Sequence, residues 1–269
     1  MWCRTAAAGE PQLEEAFVSF ATPNYFPLLE VLVDSVERFS SRPIVAFGVG
    51  ADIPLRSRPC LIKRRIEALG WWRRQFGRCD VYDIYRLRPK VVLAAGVKFG
   101  VYLDADSVVS DSIDELFGWT RSVDGHPLCA RHPHDPDNQA DLMRRLGVAR
   151  KTMPYVHGHF VFAPSCRPFL QEWSRLCSRY RRVPAADETI LNVLLWKEGA
   201  SRHLPLYDPY FEIVEAQFAW QDALRSLGDD VRCHVVHGCK DPARAAQILL
   251  RLRGSREANL FSTREFPPS

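Results

Sequence analysis

No pair among the eight cysteines has the Cys-x-x-Cys spacing of a zinc or thioredoxin-type motif. They stand at positions 3, 60, 79, 129, 166, 177, 233 and 239 of a 269-residue chain. A chain of that length buries a core without covalent staples, so reduced thiols and a cytoplasmic protein are expected. No run approaches the roughly 18 consecutive apolar residues of a membrane span. Met1 to Gln12 lacks the apolar centre of a signal peptide. An excess of one charge is also missing: 36 basic and 32 acidic residues leave a net charge of +4, and no long run of one sign occurs. That balance makes no case for nucleic acid as a partner. Lysine is scarce, at 63, 90, 98, 151, 197 and 240 only, so arginine supplies the other basic residues. Arginine is the better fork for phosphate and carboxylate. Internal repeats and low-complexity linkers are absent.

What is present is a globular composition, 46% hydrophobic and 25% charged. One domain is expected over 1–254. Ser255 to Ser269, with charges, prolines and little periodicity, reads as a loose tail. Ala16 to Ala21 is an apolar burst expected to be a buried strand. Thr22-Pro23-Asn24 ends it, and Asn24 is placed to cap a helix on which Leu28, Leu29, Leu32, Val33 and Val36 recur at helical spacing. Further strands are expected at Pro43 to Val49, Leu61 to Ile66 and Phe99 to Leu103. Leu128 to Arg131, Phe160 to Ala163 and Val231 to Val236 read as later strands. Tyr82 to Ala95 reads as a helix interrupted by Pro89, and helices are expected at Ser112 to Phe117, Phe169 to Tyr180, Glu188 to Lys197 and Pro242 to Leu252. A basic, Trp-rich stretch lies at Trp71 to Arg78. The alternation in the first half predicts an α/β fold, with a mainly parallel sheet covered by helices on both faces.

The sharpest local feature is Val101-Tyr102-Leu103-Asp104-Ala105-Asp106-Ser107-Val108-Val109. An apolar strand delivers two carboxylates separated by one small residue. Ligands of open α/β sheets bind beyond the carboxyl ends of strands. Hard oxygen donors there suit Mg²⁺ or Mn²⁺, which can clamp a diphosphate. Two enzyme classes carry such a strand. The motif is similar to that of haloacid-dehalogenase-type phosphatases, in which Asp104 would be the nucleophile. That motif usually opens a chain, whereas here at least two strands precede it.

The rest of the chain resembles the GT-A glycosyltransferases of family 8 and its relatives. The resemblance runs from Phe17 to Pro242. It rests on Phe17 to Tyr25 as first strand and nucleotide loop, Tyr85 to Lys90 before the Asp104 strand, and Ser112 to Phe117 after it. Gly158-His159-Phe160-Val161-Phe162 is similar to the family's Asn-x-Gly strand, with Val156 where the Asn would stand. Ala186 to Asn192 resembles its Asp-Gln-x-x-Leu-Asn helix start, with Glu188 in the Gln place. Val236-His237-Gly238-Cys239-Lys240 looks like a shortened His-x-x-Gly-x-x-Lys-Pro.

The resemblance implies a GT-A fold, a Rossmann-like sheet flanked by helices. It also implies transfer of a hexose from a nucleoside-diphosphate sugar, UDP-linked in the first instance, to a carbohydrate or other acceptor hydroxyl, with retention. It makes Asp104, Ala105 and Asp106 nucleotide-binding residues. Asp104, Asp106 and His237 become the ligands of Mn²⁺ or Mg²⁺, with His234 as the competitor of His237. Lys240 and Arg88 would hold the diphosphate, with Lys90 as the alternate of Arg88. Thr22 and Tyr25 would meet the ribose and base, Tyr25 by its flat ring. Asp187 would hold the hydroxyls of the transferred sugar, and Glu188 would line the reacting face. Asp187 is equally suited to cap its helix. The loop Arg131 to Asp137 is either an acceptor-facing or an ordinary surface loop. Two other functions remain open: the phosphatase, and a sugar-nucleotide binder without catalysis.

Overall fold

The computed structural model describes residues 12–67, 81–110, 113–136, 139–180, 187–208 and 233–262. The first strand, β1 (Leu13–Ala21), is buried from Ala16 onward. Side chains alternate across a strand, so Ala16, Val18 and Phe20 enter one core while Phe17 and Ala21 enter the other. A strand covered on both faces reads as a continuous apolar run for this reason.

The main sheet has the order β3-β2-β1-β4-β7-β6. β2 (Ile44–Val49), β3 (Leu61–Ile66) and β4 (Val97–Tyr102) run parallel to β1. The edge strand β3 carries Lys63, Arg64 and Arg65, charges that discourage pairing with another chain. β7 (Val156–Phe162) runs antiparallel to β4, and β6 (Leu128–Arg131) runs antiparallel to β7. The sheet grows outward from β1 in both directions. The carboxyl ends of β1 and β4 therefore form the crevice where open α/β sheets bind ligands. Because β7 is reversed, it brings its first residues to that same edge.

Helices cover both faces. α1 (Phe26–Phe39) and α4 (Glu115–Thr120) pack on one. α3 (Arg88–Ala94), α6 (Arg167–Arg179) and α7 (Asp187–Lys197) pack on the other. The short helices α2 (Val81–Tyr85) and α5 (Ala140–Leu146) complete the middle of the chain. A small second sheet joins β5 (Val108–Val109), β9 (Cys233–Val236) and β8 (Leu206–Tyr207), in the order β5-β9-β8. α8 (Pro242–Ser262) packs Ala245, Ile248 and Leu249 against Leu28 and Val31 of α1. No described helix is long and apolar enough to cross a membrane. Cys60, Cys129, Cys166, Cys177 and Cys239 are free thiols.

Several local expectations differ from the structure. Asn24 does not cap α1: a 3-10 turn (Pro23–Tyr25) intervenes, and the Thr22 hydroxyl donates to the Asn24 carboxamide oxygen at 2.6 Å. α1 instead begins with a proline in its first turn, where the missing N–H needs no partner. Pro89 starts α3 rather than interrupting a longer helix, for the same reason. α8 runs past Leu252 to Ser262. The Trp71 to Arg78 stretch lies outside the described residues, as do 263–269 of the expected tail.

Asn192 ties α7 to β7. Its carboxamide accepts from the Val156 amide at 2.7 Å and donates to the Val156 carbonyl at 2.9 Å. Gly100 gives the ring of Phe162 its place on the neighbouring strand, because a Cβ there would collide with that ring. Phe162 is buried, so Gly100→Ala is expected to cost about 1–3 kcal/mol as overpacking. Urea denaturation measures this, and an unchanged midpoint would contradict the account.

Candidate active site

The two carboxylates of the Asp-x-Asp stand just beyond β4. Leu103 still donates its amide to the Val18 carbonyl at 3.1 Å, and the chain then turns, with the Ser107 amide bonded to the Asp104 carbonyl at 3.2 Å. β5 follows and pairs antiparallel with β9, Val108 opposite Val236. Continuing that register sets His237 opposite Ser107, beside Asp104 and Asp106 despite the long separation in sequence. Its Nε2 lies 3.8 Å from an Asp104 oxygen and 3.7 Å from an Asp106 oxygen. These gaps exceed hydrogen-bond length. Ligand atoms from the three side chains lie within 4.8 Å of one another. Two carboxylates and an imidazole at this spacing fit a divalent cation.

Arg88, from the first turn of α3, is 4% exposed. Its Nη2 donates to both oxygens of Asp104 at 3.1 Å, and its Nη1 donates to Asp187 at 2.8 Å and lies 3.6 Å from Glu188. The guanidinium lies over the ring of Tyr102, whose hydroxyl donates to Asp104 at 2.8 Å. A Cβ at residue 158 would collide with this guanidinium, so Gly158 is the residue the packing requires. Glu188 accepts from the Gly158 amide at 2.9 Å, and the Asp187 carbonyl accepts from the Trp173 indole at 3.0 Å.

The electrostatics separate the carboxyl groups. Burial raises the pKa of Asp104, but Arg88, His159, His237 and the Tyr102 hydroxyl outweigh it and hold the group well below the usual carboxylate range. Burial and the charge of Asp104 push Asp106 up. Burial pushes Asp187 up to about 7 against the pull of Arg88. Burial and the neighbouring histidines keep His157 neutral, whereas Asp208 and Asp104 overcome burial to raise His159.

No protein-family model matches the chain, and no curated protein matches it. Among solved structures, the galactosyltransferase LgtC, in complex with donor and acceptor sugar analogues, is similar. The match has a TM-score of 0.56, covers 89% of this chain and 95% of that chain, and has 16% sequence identity. The fold is GT-A.

Within this GT-A fold, Thr22 and Tyr25 follow β1, next to the crevice. Tyr85, at 41% exposure, borders the same space: partial burial and the nearby Asp104 and Asp106 raise the pKa of its hydroxyl. Lys240 is exposed. Asp187 and Glu188 meet Asp104 through Arg88. Lys90 is exposed. His234 lies in β9, and Val156 is held through its backbone by Asn192. From the Arg131 to Asp137 loop, His132 stacks on His157 with ring centroids 5.4 Å apart.

Four residues at the site carry no role in the motif readings, although Tyr85 and His159 stand within the motif segments: Tyr85, His157, His159 and Asp208. A signal for two of them exists in the sequence. His157 and His159 are separated by one residue on a strand, so they share a face.

The Asp187 carboxyl gives a pH test. Its folded pKa of about 7 exceeds the ordinary value of 3.8. The folded state thus holds this proton more tightly, and the associated stability is full below the ordinary value and is lost as pH rises through about 7. Asp187→Asn carries no such proton. In EDTA, its melting temperature relative to the unsubstituted chain should improve between about pH 5 and about pH 8. A difference independent of pH would mean that Asp187 stays ionised on Arg88 throughout.

Proposed function

We propose that the chain is a metal-dependent glycosyltransferase that moves a hexose from a UDP-sugar to an acceptor hydroxyl with retention. The observation that carries the reading is the meeting of Asp104, Asp106 and His237 at the carboxyl edge of β4, in a fold like that of LgtC. The acceptor is a carbohydrate or another hydroxyl compound, and the protein acts in the cytoplasm.

Thr22 and Tyr25 receive the ribose and base, and the Tyr25 ring offers a flat face to uracil. Asp104, Ala105 and Asp106 line the nucleotide. Lys240 supplies a mobile point charge to the diphosphate. Asp187 and Glu188 face the transferred sugar, while Arg88 holds Asp104 and Asp187 in place. The phosphate role expected of Arg88 is shared in this reading with Lys240, because three carboxylates already surround the guanidinium. A divalent cation, Mn²⁺ or Mg²⁺, held by Asp104, Asp106 and His237, would supply charge neutralisation of the diphosphate. In the transfer, the bond from the anomeric carbon to the phosphate oxygen breaks. A bond to the acceptor oxygen forms on the same face, and the acceptor proton passes to the leaving phosphate.

The phosphatase reading has less support. The Asp-x-Asp follows the fourth strand of the chain rather than the first, where the phosphatase motif usually stands, and the fold is like that of LgtC.

UDP with Mn²⁺ is expected to raise the melting temperature, and EDTA to cancel the rise, since a ligand of the native state stabilises it by mass action. Asp106→Asn should fold, lose the Mn²⁺-dependent shift, and transfer sugar roughly 100-fold or more slowly. Transfer at the unsubstituted rate would sink the assignment. A UDP–Mn²⁺ shift without transfer or slow hydrolysis of any UDP-sugar would favour a binder without catalysis.

A further inference from the structure

Beside the Asp-x-Asp carboxylates lies a second group of donors, of which the transfer reaction uses only His237. His157 and His159 project from one face of β7, on either side of Gly158. Asp208 follows β8, and β8 pairs with β9, which leads to His237. The four residues are buried, with exposures of 2% for His157, 0% for His159, 6% for Asp208 and 7% for His237. The three imidazole rings meet with centroids 4.3 to 4.7 Å apart.

Their nitrogens are arranged in two layers. The Nε2 atoms face outward: that of His159 lies 3.7 Å from Asp104, that of His237 lies 3.7 Å from Asp106, and that of His157 lies 4.0 Å from Glu188. The Nδ1 atoms face inward to Asp208, at 2.6 Å from His159, 3.4 Å from His157 and 3.8 Å from His237. This inward layer is poorly served by hydrogen bonds. Among the described residues, Asp208 is met at 2.6 Å by the His159 Nδ1 as an ion-pair contact, while its other oxygen has no hydrogen-bond partner. The Nδ1 of His157 accepts the His159 amide at 3.3 Å and so offers no proton to Asp208, 3.4 Å away. Buried carboxylates are normally hydrogen-bonded, paired or on a metal.

We propose that His157, His159 and Asp208 hold a second divalent cation, deeper than the one assigned to Asp104 and Asp106. Donor atoms from these three residues and His237 lie within 4.8 Å of one another. Side-chain movements of some tenths of an ångström close that spacing onto bonds of about 2.1 Å. Two imidazoles and one carboxylate suit a borderline transition ion such as Zn²⁺ or Co²⁺, rather than Mg²⁺ or Ca²⁺, which favour all-oxygen shells. His237 stands between the two sites, Nε2 toward the outer pair and Nδ1 toward Asp208, so the occupancy of one site is felt at the other.

The probe is Co²⁺ added to the metal-stripped full chain, with binding followed by equilibrium dialysis and by the ligand-field spectrum. The expected result is an equivalent that Asp106→Asn retains and that either Asp208→Asn or His159→Gln weakens by roughly 100-fold or more. Circular dichroism establishes that each variant is folded. The inference is overturned if Asp106→Asn abolishes all Co²⁺ binding, or if folded Asp208→Asn and His159→Gln bind Co²⁺ as the unsubstituted chain does. Should neither of these two fold, Asp106→Asn alone decides, by retaining or losing the equivalent. Because the readout uses no nucleotide, a failure to bind UDP would count against the proposed transferase and leave this test intact.

Discussion

The guanidinium of Arg88 is the interaction on which the site's geometry depends. A buried cation is costly unless charge and hydrogen bonds around it are complete, and here Asp104, Asp187 and Glu188 provide them from two separate elements. The same group therefore fixes the end of β4 relative to the start of α7. It also dictates the absence of a side chain at Gly158, and so brings β7 close enough for His157 and His159 to reach the crevice. Losing one partner of such a pair typically costs about 3–5 kcal/mol, because the remaining charge is left buried and uncompensated. The rigidity of Asp104 is thus built from beneath, while Asp106, away from Arg88, is governed by burial and its neighbours.

Much of the sheet was legible in the residues, and for a simple reason. Strands buried on both faces announce themselves as apolar runs, as β1 and β2 do, and β1 is followed by a helix of clear period. The boundaries were less legible where proline was involved: Pro89 breaks a helix in most settings, but in the first turn it begins one. Asn24 has the chemistry of a cap, yet its carboxamide engages Thr22 instead, a local competition that spacing alone does not reveal.

The site divides in a similar way. Asp104 and Asp106 stand out because they end an apolar strand, and His237 follows from motif order. Their meeting depends on a ladder between β5 and β9, whose strands are too short to be conspicuous. The His157 and His159 pair carries a strand period that is visible, but its chemistry depends on Asp208, which neither spacing nor hydropathy connects to it. Arg88 looks like a surface arginine at a helix start. Its burial follows from three carboxylates arriving from elsewhere, which is a tertiary fact.

The two-residue ladder that joins Val108 and Val109 to Val235 and Val236 also orders events in time. During synthesis, β1 to β4 and β7 leave the ribosome long before His237 does. A nascent chain can bury most of its sheet while the crevice still lacks its imidazole from β9, since domains tend to consolidate as segments emerge. Closing the ladder is a contact of long sequence separation, the kind that forms slowly. A cation at the proposed outer site would thereby be gripped only late in maturation, since the half-made protein presents the carboxylate pair without its imidazole.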